Sequence, residues 1–332
     1  MRLIKTEDAV GHVLCHDMTQ IIKDQYKDAR FRKGHVVTEE DIPVLLSMGK
    51  EHLYVWEMTS GMVHENDAAE RLLALCGQEN MIRSGVKEGK IELKAACDGV
   101  FLVDSARLVA VNSQDEVMIA TRKGGMAVRE GDKLAGMRVI PLIIEEEKLR
   151  KAEQAAGDKP LLSLKPYVRK TACIVATGGE VKKGLIKDTF TPVVIDKLKT
   201  YGIETLEVVY SGDGVENVRD AVLTMREKKP DMILCTGGMS VDPDDNTPGG
   251  IKAAGANIIA YGAPVLPGAM FLLGYFDDGM PVMGLPGCVM YAGATVFDLV
   301  LPKIAADVPV TRADLAALGE GGLCLGCKPC HY

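Results

Sequence analysis

Three short glycine-containing stretches concentrate the residues that can do chemistry: Thr177-Gly178-Gly179-Glu180, Ser211-Gly212-Asp213-Gly214 and Thr236-Gly237-Gly238-Met239-Ser240. Glycine lets backbone N–H groups close on a phosphate with no Cβ in the way, and a helix starting just beyond adds positive potential. Thr177, Gly178, Thr236, Gly237, Gly238 and Ser240 are therefore candidate phosphate contacts, the hydroxyls of Thr236 and Ser240 adding donors. Beside them stand Glu180, Asp213, Asp242, Asp244 and Asp245. These carboxylates repel a bare phosphate but suit a magnesium ion bridging phosphate oxygens, with Asp245, Asp242 and Glu180 as candidate ligands. A second cluster, Cys324, Cys327, Cys330 and His331, has C-x-x-C-x-x-C-H spacing. It is dense enough to wrap one zinc ion or to nucleate an iron–sulfur cluster, the alternative being a solvated tail.

The elements around the three stretches explain their placement. From Thr171 onward, apolar strand-like runs alternate with helical patterns: strands at 171–176, 204–210, 231–235, 257–261, 270–276 and 281–285, helices at 191–201, 216–228, 248–254 and 289–304. Such alternation predicts an α/β fold with a mostly parallel sheet and helices on both faces in the C-terminal half, where ligands sit beyond the carboxyl ends of the strands. All three glycine stretches fall at those ends. A smaller α+β to all-β part precedes it. Helices are expected at 38–48, with Thr38 as N-cap, and at 65–75. Residues 85–144 show short alternating strands, one of them Leu108 to Val111, separated by turns such as Glu130-Gly131-Asp132. The expected organisation is an α+β segment at 1–84, a small all-β domain at 85–144, a linker at 145–170, the α/β domain at 171–310 and a Cys-rich tail at 311–332.

Composition narrows the function classes. With 332 residues, 47% hydrophobic and 26% charged, the chain is ordinary globular protein. The net charge of −7, from 39 basic against 46 acidic residues, leaves no basic footprint for nucleic acid. No apolar run reaches membrane-spanning length and Met1 to Asp8 is too polar to open a signal peptide, so a cytoplasmic protein with no membrane partner is expected. Six of the nine cysteines are scattered, mostly in apolar runs, and read as reduced core thiols. Neither G-x-G-x-x-G nor G-x-x-x-x-G-K-[ST] occurs, which demotes Rossmann dehydrogenases and ordinary NTPases.

The segments Ile174 to Glu180, Asp188, Val208 to Asp213, Thr236 to Pro248 and Leu285-Pro286-Gly287 together resemble the molybdopterin-binding domain of molybdenum-cofactor biosynthesis proteins. That superfamily includes the molybdopterin adenylyltransferase, the molybdopterin molybdenumtransferase and gephyrin. The resemblance implies that the Gly-Gly-x-Ser loop holds the terminal phosphate of the pterin dithiolene. It places Asp213 and Asp245 where the family keeps essential acids, and Glu180 at the acid of the molybdenumtransferase's Thr-Gly-x-Glu turn. Thr177-Gly178-Gly179-Glu180 is nearer the molybdenumtransferase, whereas Pro243-x-Asp245-x-Thr247-Pro248 is nearer the adenylyltransferase. Phe31 to Gly49 and Tyr54-Val55-Trp56 resemble the segment leading into the domain in molybdenumtransferases. The family's Pro-Gly-Lys-Pro loop appears as Pro267-Gly268-Ala269-Met270, without lysine, and its Pro-Gly-Asn-Pro loop as Pro286-Gly287-Cys288-Val289. The resemblance further implies molybdopterin or adenylylated molybdopterin and molybdate as partners, magnesium as cofactor, catalytic roles for Asp245, Asp213 and Glu180, and a dimer or trimer. Three other readings stay open: a non-catalytic carrier or sensor of molybdopterin or molybdate, adenylyltransferase-like activity, and a nucleotide pyrophosphatase on a related domain.

Overall fold

Ala172 and Ile174 of strand β1 (Thr171–Thr177) pack on one side while Cys173 and Val175 pack on the other, all four fully buried. A strand apolar on both faces needs cover on both. β1 lies between β2 (Glu204–Ser211) and β3 (Met232–Thr236), parallel to each. With β4 (Asn257–Tyr261), β5 (Leu272–Tyr275) and β6 (Pro281–Leu285) they form one six-stranded sheet of order β2-β1-β3-β6-β5-β4. β3 and β6 are parallel, and only β5 runs against its neighbours. Helices α1 (Phe190–Lys199) and α4 (Val296–Ala305) cover one face through Val194, Leu198, Phe297 and Val300. Helices α2 (Val215–Glu227) and α3 (Thr247–Ala253) cover the other through Val218, Val222 and Ile251. Each such side chain contributes roughly 1.5–3 kcal/mol by leaving water. The C-terminal half is thus a mostly parallel α/β sheet with helices on both faces.

The computed structural model describes residues 2–22, 26–55, 61–240, 242 and 246–326. The chain forms two units: one of residues 1–96, 103–124 and 131–163, the other of 97–102, 125–130 and 164–332. Two elements differ from their sequence expectation. The helix expected over 289–304 is a 3-10 turn, Gly287–Met290, and a separate α4. The break follows from Thr295, whose side chain accepts the Phe297 N–H at 3.2 Å while Asp298 reaches back to the Thr295 N–H at 2.8 Å, so a capping box starts a new helix there. The strand expected at Leu108 to Val111 lies inside a helix, Ser105–Asn112, which Asp104 caps by accepting the Arg107 N–H at 3.0 Å.

The first unit is built from small antiparallel sheets, including Arg2–Lys5 with His52–Val55 and Met62–His64 with Ile143–Glu145. The helix expected from Thr38 instead begins at Asp41 with Glu40, not Thr38, at the N-cap, because Asp41 accepts from both the N–H and the hydroxyl of Thr38 and holds that residue outside the helix. The helix Glu65–Cys76 is capped by His64, whose Nδ1 accepts the Asn66 N–H at 3.2 Å and lies 3.2 Å from Lys33 Nζ, while Nε2 donates to the Cys15 carbonyl at 2.7 Å. That pattern requires a neutral ring. Burial is the main cause of a lowered pKa at His64, with Lys33 adding to it and the Cys15 carbonyl and Asp67 opposing. His16 is lowered by burial first, then by Lys50 and His64, against Asp17. As pH falls below the ordinary histidine value of 6.5, the unfolded chain takes up these protons first. Stability is therefore expected to be full above that value and to fall below it, by up to about 1.4 kcal/mol per pH unit for each ring. Melting temperature measured from about pH 8 to pH 5 checks this, and His64→Gln should flatten the fall.

Candidate functional site

The loops after β1 and β3 are tied together by buried threonines. Thr177 donates its hydroxyl to the Thr236 carbonyl at 2.9 Å and lies 3.1 Å from the Thr247 hydroxyl. Thr247, at the first turn of α3, donates its hydroxyl to the Gly237 carbonyl at 2.9 Å and its N–H to the Gly238 carbonyl at 3.1 Å. With three carbonyls so occupied, both glycines of the loop have positive φ, +83° at Gly237 and +57° at Gly238. A Cβ at Gly237 would sit 2.4 Å from the Thr177 carbonyl oxygen, and one at Gly238 would sit 2.6 Å from the Thr247 hydroxyl. Side chains are excluded at both positions on backbone and packing grounds together.

The β1 and β2 loops are joined separately. The Gly179 N–H donates to Asp213 Oδ2 at 2.9 Å, and the Gly178 N–H donates to the Ser211 carbonyl at 3.2 Å. Glu180 is exposed next to this pair. Asp188 accepts the N–H groups of Phe190 and Thr191 at the start of α1. Burial raises its pKa, but hydrogen bonds from Thr191 and Phe190 outweigh it and keep the carboxyl below its ordinary range.

An open cleft of about 490 Å³ lies at the ends of β3 and β6. Gly237, Gly238 and Ser240 line it from one loop, and Pro286, Gly287 and Cys288 from the other. Ala269 and Met270 close a third side. Tyr261, at the end of β4, donates its hydroxyl to the Met239 carbonyl at 2.8 Å and so braces the Gly-Gly-x-Ser loop from across the sheet. No sequence motif announces Tyr261.

Three of the residues expected to contact phosphate, Gly237, Gly238 and Ser240, lie together on this lining, facing Pro286 and Gly287 of the loop that resembles the family's Pro-Gly-Asn-Pro. Pro267 and Gly268 immediately precede lining residue Ala269. Thr177 and Thr236 are buried beneath the loop, and the Thr177 hydroxyl serves the backbone. Gly178, Glu180 and Asp213 sit at the neighbouring β1 and β2 ends. Asp242 is exposed just beyond Ser240. Asp244 and Asp245 lie outside the described residues, as do Cys327, Cys330 and His331. Among the described residues no three His, Cys, Asp or Glu side chains converge on a position for a metal ion, and no helix is long and apolar enough to cross a membrane.

Residues 173–306 match the family described as a probable molybdopterin binding domain, and residues 3–57 match a domain of unknown function. A CinA-like protein of Mycobacterium tuberculosis is 33% identical over 76 residues, 23% of this chain and 18% of that protein. A CinA-like protein of Petrotoga mobilis is 32% identical over 76 residues, 19% of its length. The chain thus spans under one fifth of the curated relatives it matches. Among solved structures, a MogA structure is 22% identical, with 42% of this chain and 100% of that chain covered and a TM-score of 0.37. The molybdopterin biosynthesis enzyme MoaB of Thermus thermophilus is 16% identical, with 43% and 98% covered and a TM-score of 0.36. Joined to the six-stranded sheet and the glycine-lined cleft at its strand ends, the family match assigns residues 173–306 to the probable molybdopterin-binding domains.

Proposed function

We propose that the cleft receives molybdopterin or its adenylylated form through the terminal phosphate, and that the chain promotes molybdate insertion with release of AMP. The observation carrying this reading is the Gly237-Gly238-x-Ser240 loop, held rigid by Thr177 and Thr247, facing Pro286-Gly287 across one cleft. Backbone N–H groups and the Ser240 hydroxyl act there as preset donors to phosphate oxygens, which costs little reorganisation on binding. Asp213, tied by one oxygen to Gly179, and Glu180 supply hard oxygen donors at the adjoining strand ends; Asp242 and Asp245 follow the loop in sequence. Their chemistry fits Mg²⁺, which would neutralise the diphosphate of an adenylylated pterin. The protein's own contribution is to bind the phosphate, orient the pterin and hold the acids beside the anhydride. The cytoplasm and a homo-oligomer are the proposed setting.

One observation favours a second reading, a non-catalytic carrier. Ala269 lines the cleft in the loop whose relatives, by resemblance, carry lysine, so the cleft gains no ammonium there for molybdate or phosphate. Incubation of the protein with adenylylated molybdopterin, molybdate and Mg²⁺ separates the two. AMP released in step with molybdenum uptake supports insertion; tight pterin binding without AMP supports the carrier; formation of adenylylated pterin from ATP supports an adenylyltransferase; and absence of pterin binding removes all three.

A further inference from the structure

We infer that Tyr291 is the platform on which the pterin ring stacks while the Gly-Gly-x-Ser loop holds its phosphate. The inference rests on the proposed function and deepens it. Two chemically different sets of residues line the cleft. Gly237, Gly238 and Ser240 offer N–H and hydroxyl donors, whereas Met270, Met290 and Tyr291 offer thioethers and an aromatic face. A phosphorylated heterocycle needs both, because the donors recognise its anion and leave the planar ring without a partner.

The turn after Pro286 fixes the backbone from which the ring projects. Gly287–Met290 form the 3-10 turn, and the Cys288 carbonyl accepts the N–H groups of Tyr291 at 3.2 Å and Ala292 at 2.8 Å. The neighbouring thioether is held as well, since Thr189 donates its hydroxyl to Met290 Sδ at 3.1 Å. Tyr291 itself is 77% exposed, the most exposed aromatic residue among those described. Among the described residues neither its ring nor its hydroxyl has a ring contact or a hydrogen bond. Tyr167, Tyr261 and Tyr275, by contrast, commit their hydroxyls to the backbone groups of Gly99, Met239 and Val310. A bare ring on a fixed backbone is preset for a planar ligand: stacking orders little of the protein and takes an aromatic face out of water. The cleft has room for it, because a Cβ added at Gly287 would meet nothing within 4 Å. The competing occupant is the adenine of an adenylylated pterin. The pterin ring is favoured because the phosphate received by the Gly-Gly-x-Ser loop is the pterin's own, so donors and platform serve one molecule within one cleft.

Calorimetric titration of the full chain with molybdopterin, AMP and inorganic phosphate, in wild type, Tyr291→Phe and Tyr291→Ala, tests the assignment. Tyr291→Ala should weaken molybdopterin binding about tenfold, the scale of one lost stacking partner, and leave the melting temperature and the affinity for phosphate unchanged. Tyr291→Phe keeps the ring and should bind as the wild type does. Stacking also has an optical signature: the near-ultraviolet absorption of the pterin should lose intensity on binding to wild type and Tyr291→Phe, but not on binding to Tyr291→Ala. Equal molybdopterin affinity in Tyr291→Ala and wild type overturns the platform. So does a parallel loss of phosphate affinity, which marks a structural role, or a weakening confined to AMP, which marks an adenine site. Failure of the proposed function has its own signature, a wild type that does not bind molybdopterin, and that result removes the ring assignment with it.

Discussion

Gly237→Ala is expected to destabilise the protein by about 2–4 kcal/mol and to abolish pterin-phosphate binding. Two costs add. Gly237 has φ +83°, where an L side chain costs roughly 1–2 kcal/mol. Its Cβ would also lie 2.4 Å from the Thr177 carbonyl and 2.8 Å from the Thr177 hydroxyl. These neighbours are backbone and a hydroxyl already committed to the Thr236 carbonyl, so relief by rotamer change is closed and the loop itself must move. That movement shifts Gly238 and Ser240 in the cleft wall. Urea unfolding measures the first effect and calorimetry with the pterin the second. Gly287→Ala is the control: nothing lies within 4 Å of its Cβ, so stability should stay near that of the wild type.

Asp245→Asn is expected to remove molybdate-dependent AMP release while pterin binding stays measurable. Asparagine keeps the shape and the hydrogen-bonding reach of aspartate but removes the charge that would hold a magnesium ion or position the anhydride. Phosphate recognition by Gly237, Gly238 and Ser240 has no need of that charge. The expected result is thus a fall in kcat to background with the pterin Kd little changed. Unaltered AMP release would take Asp245 out of the mechanism, and equal loss of binding would make it a recognition residue.

Much of the C-terminal architecture was legible because its central strands are buried on both faces. Runs such as 232–235 and Pro281–Leu285 carry no polar side chain with strong hydrogen-bonding groups, are bounded by turn residues, and have no helical period. The glycine loops were legible for the complementary reason that Gly178, Gly214, Gly237 and Gly238 have the positive φ that favours glycine. What escaped depended on a local cap or on contacts between distant segments. The four apolar residues 108–111 carry two β-branched side chains and read locally as strand, yet Asp104 and Arg107 commit them to helix. Tyr261 supports the cleft only because β4 ends opposite a loop 22 residues earlier, a proximity that sheet order creates. Thr247 stood inside a recognisable motif, but its service to two loop carbonyls is a matter of three-dimensional closure.

The allocation of residues 97–102 and 125–130 to the same unit as 164–332 has a practical corollary. A protease nick or a gene truncation near residue 164 would strip that unit of the antiparallel pair Gly99–Val103 and Met126–Val128. Tyr167, whose hydroxyl donates to the Gly99 carbonyl at 2.8 Å, would be left without its acceptor. An excised fragment of this kind would be a wounded body, and interlaced segments of this sort favour inheriting the chain whole over shuffling its pieces.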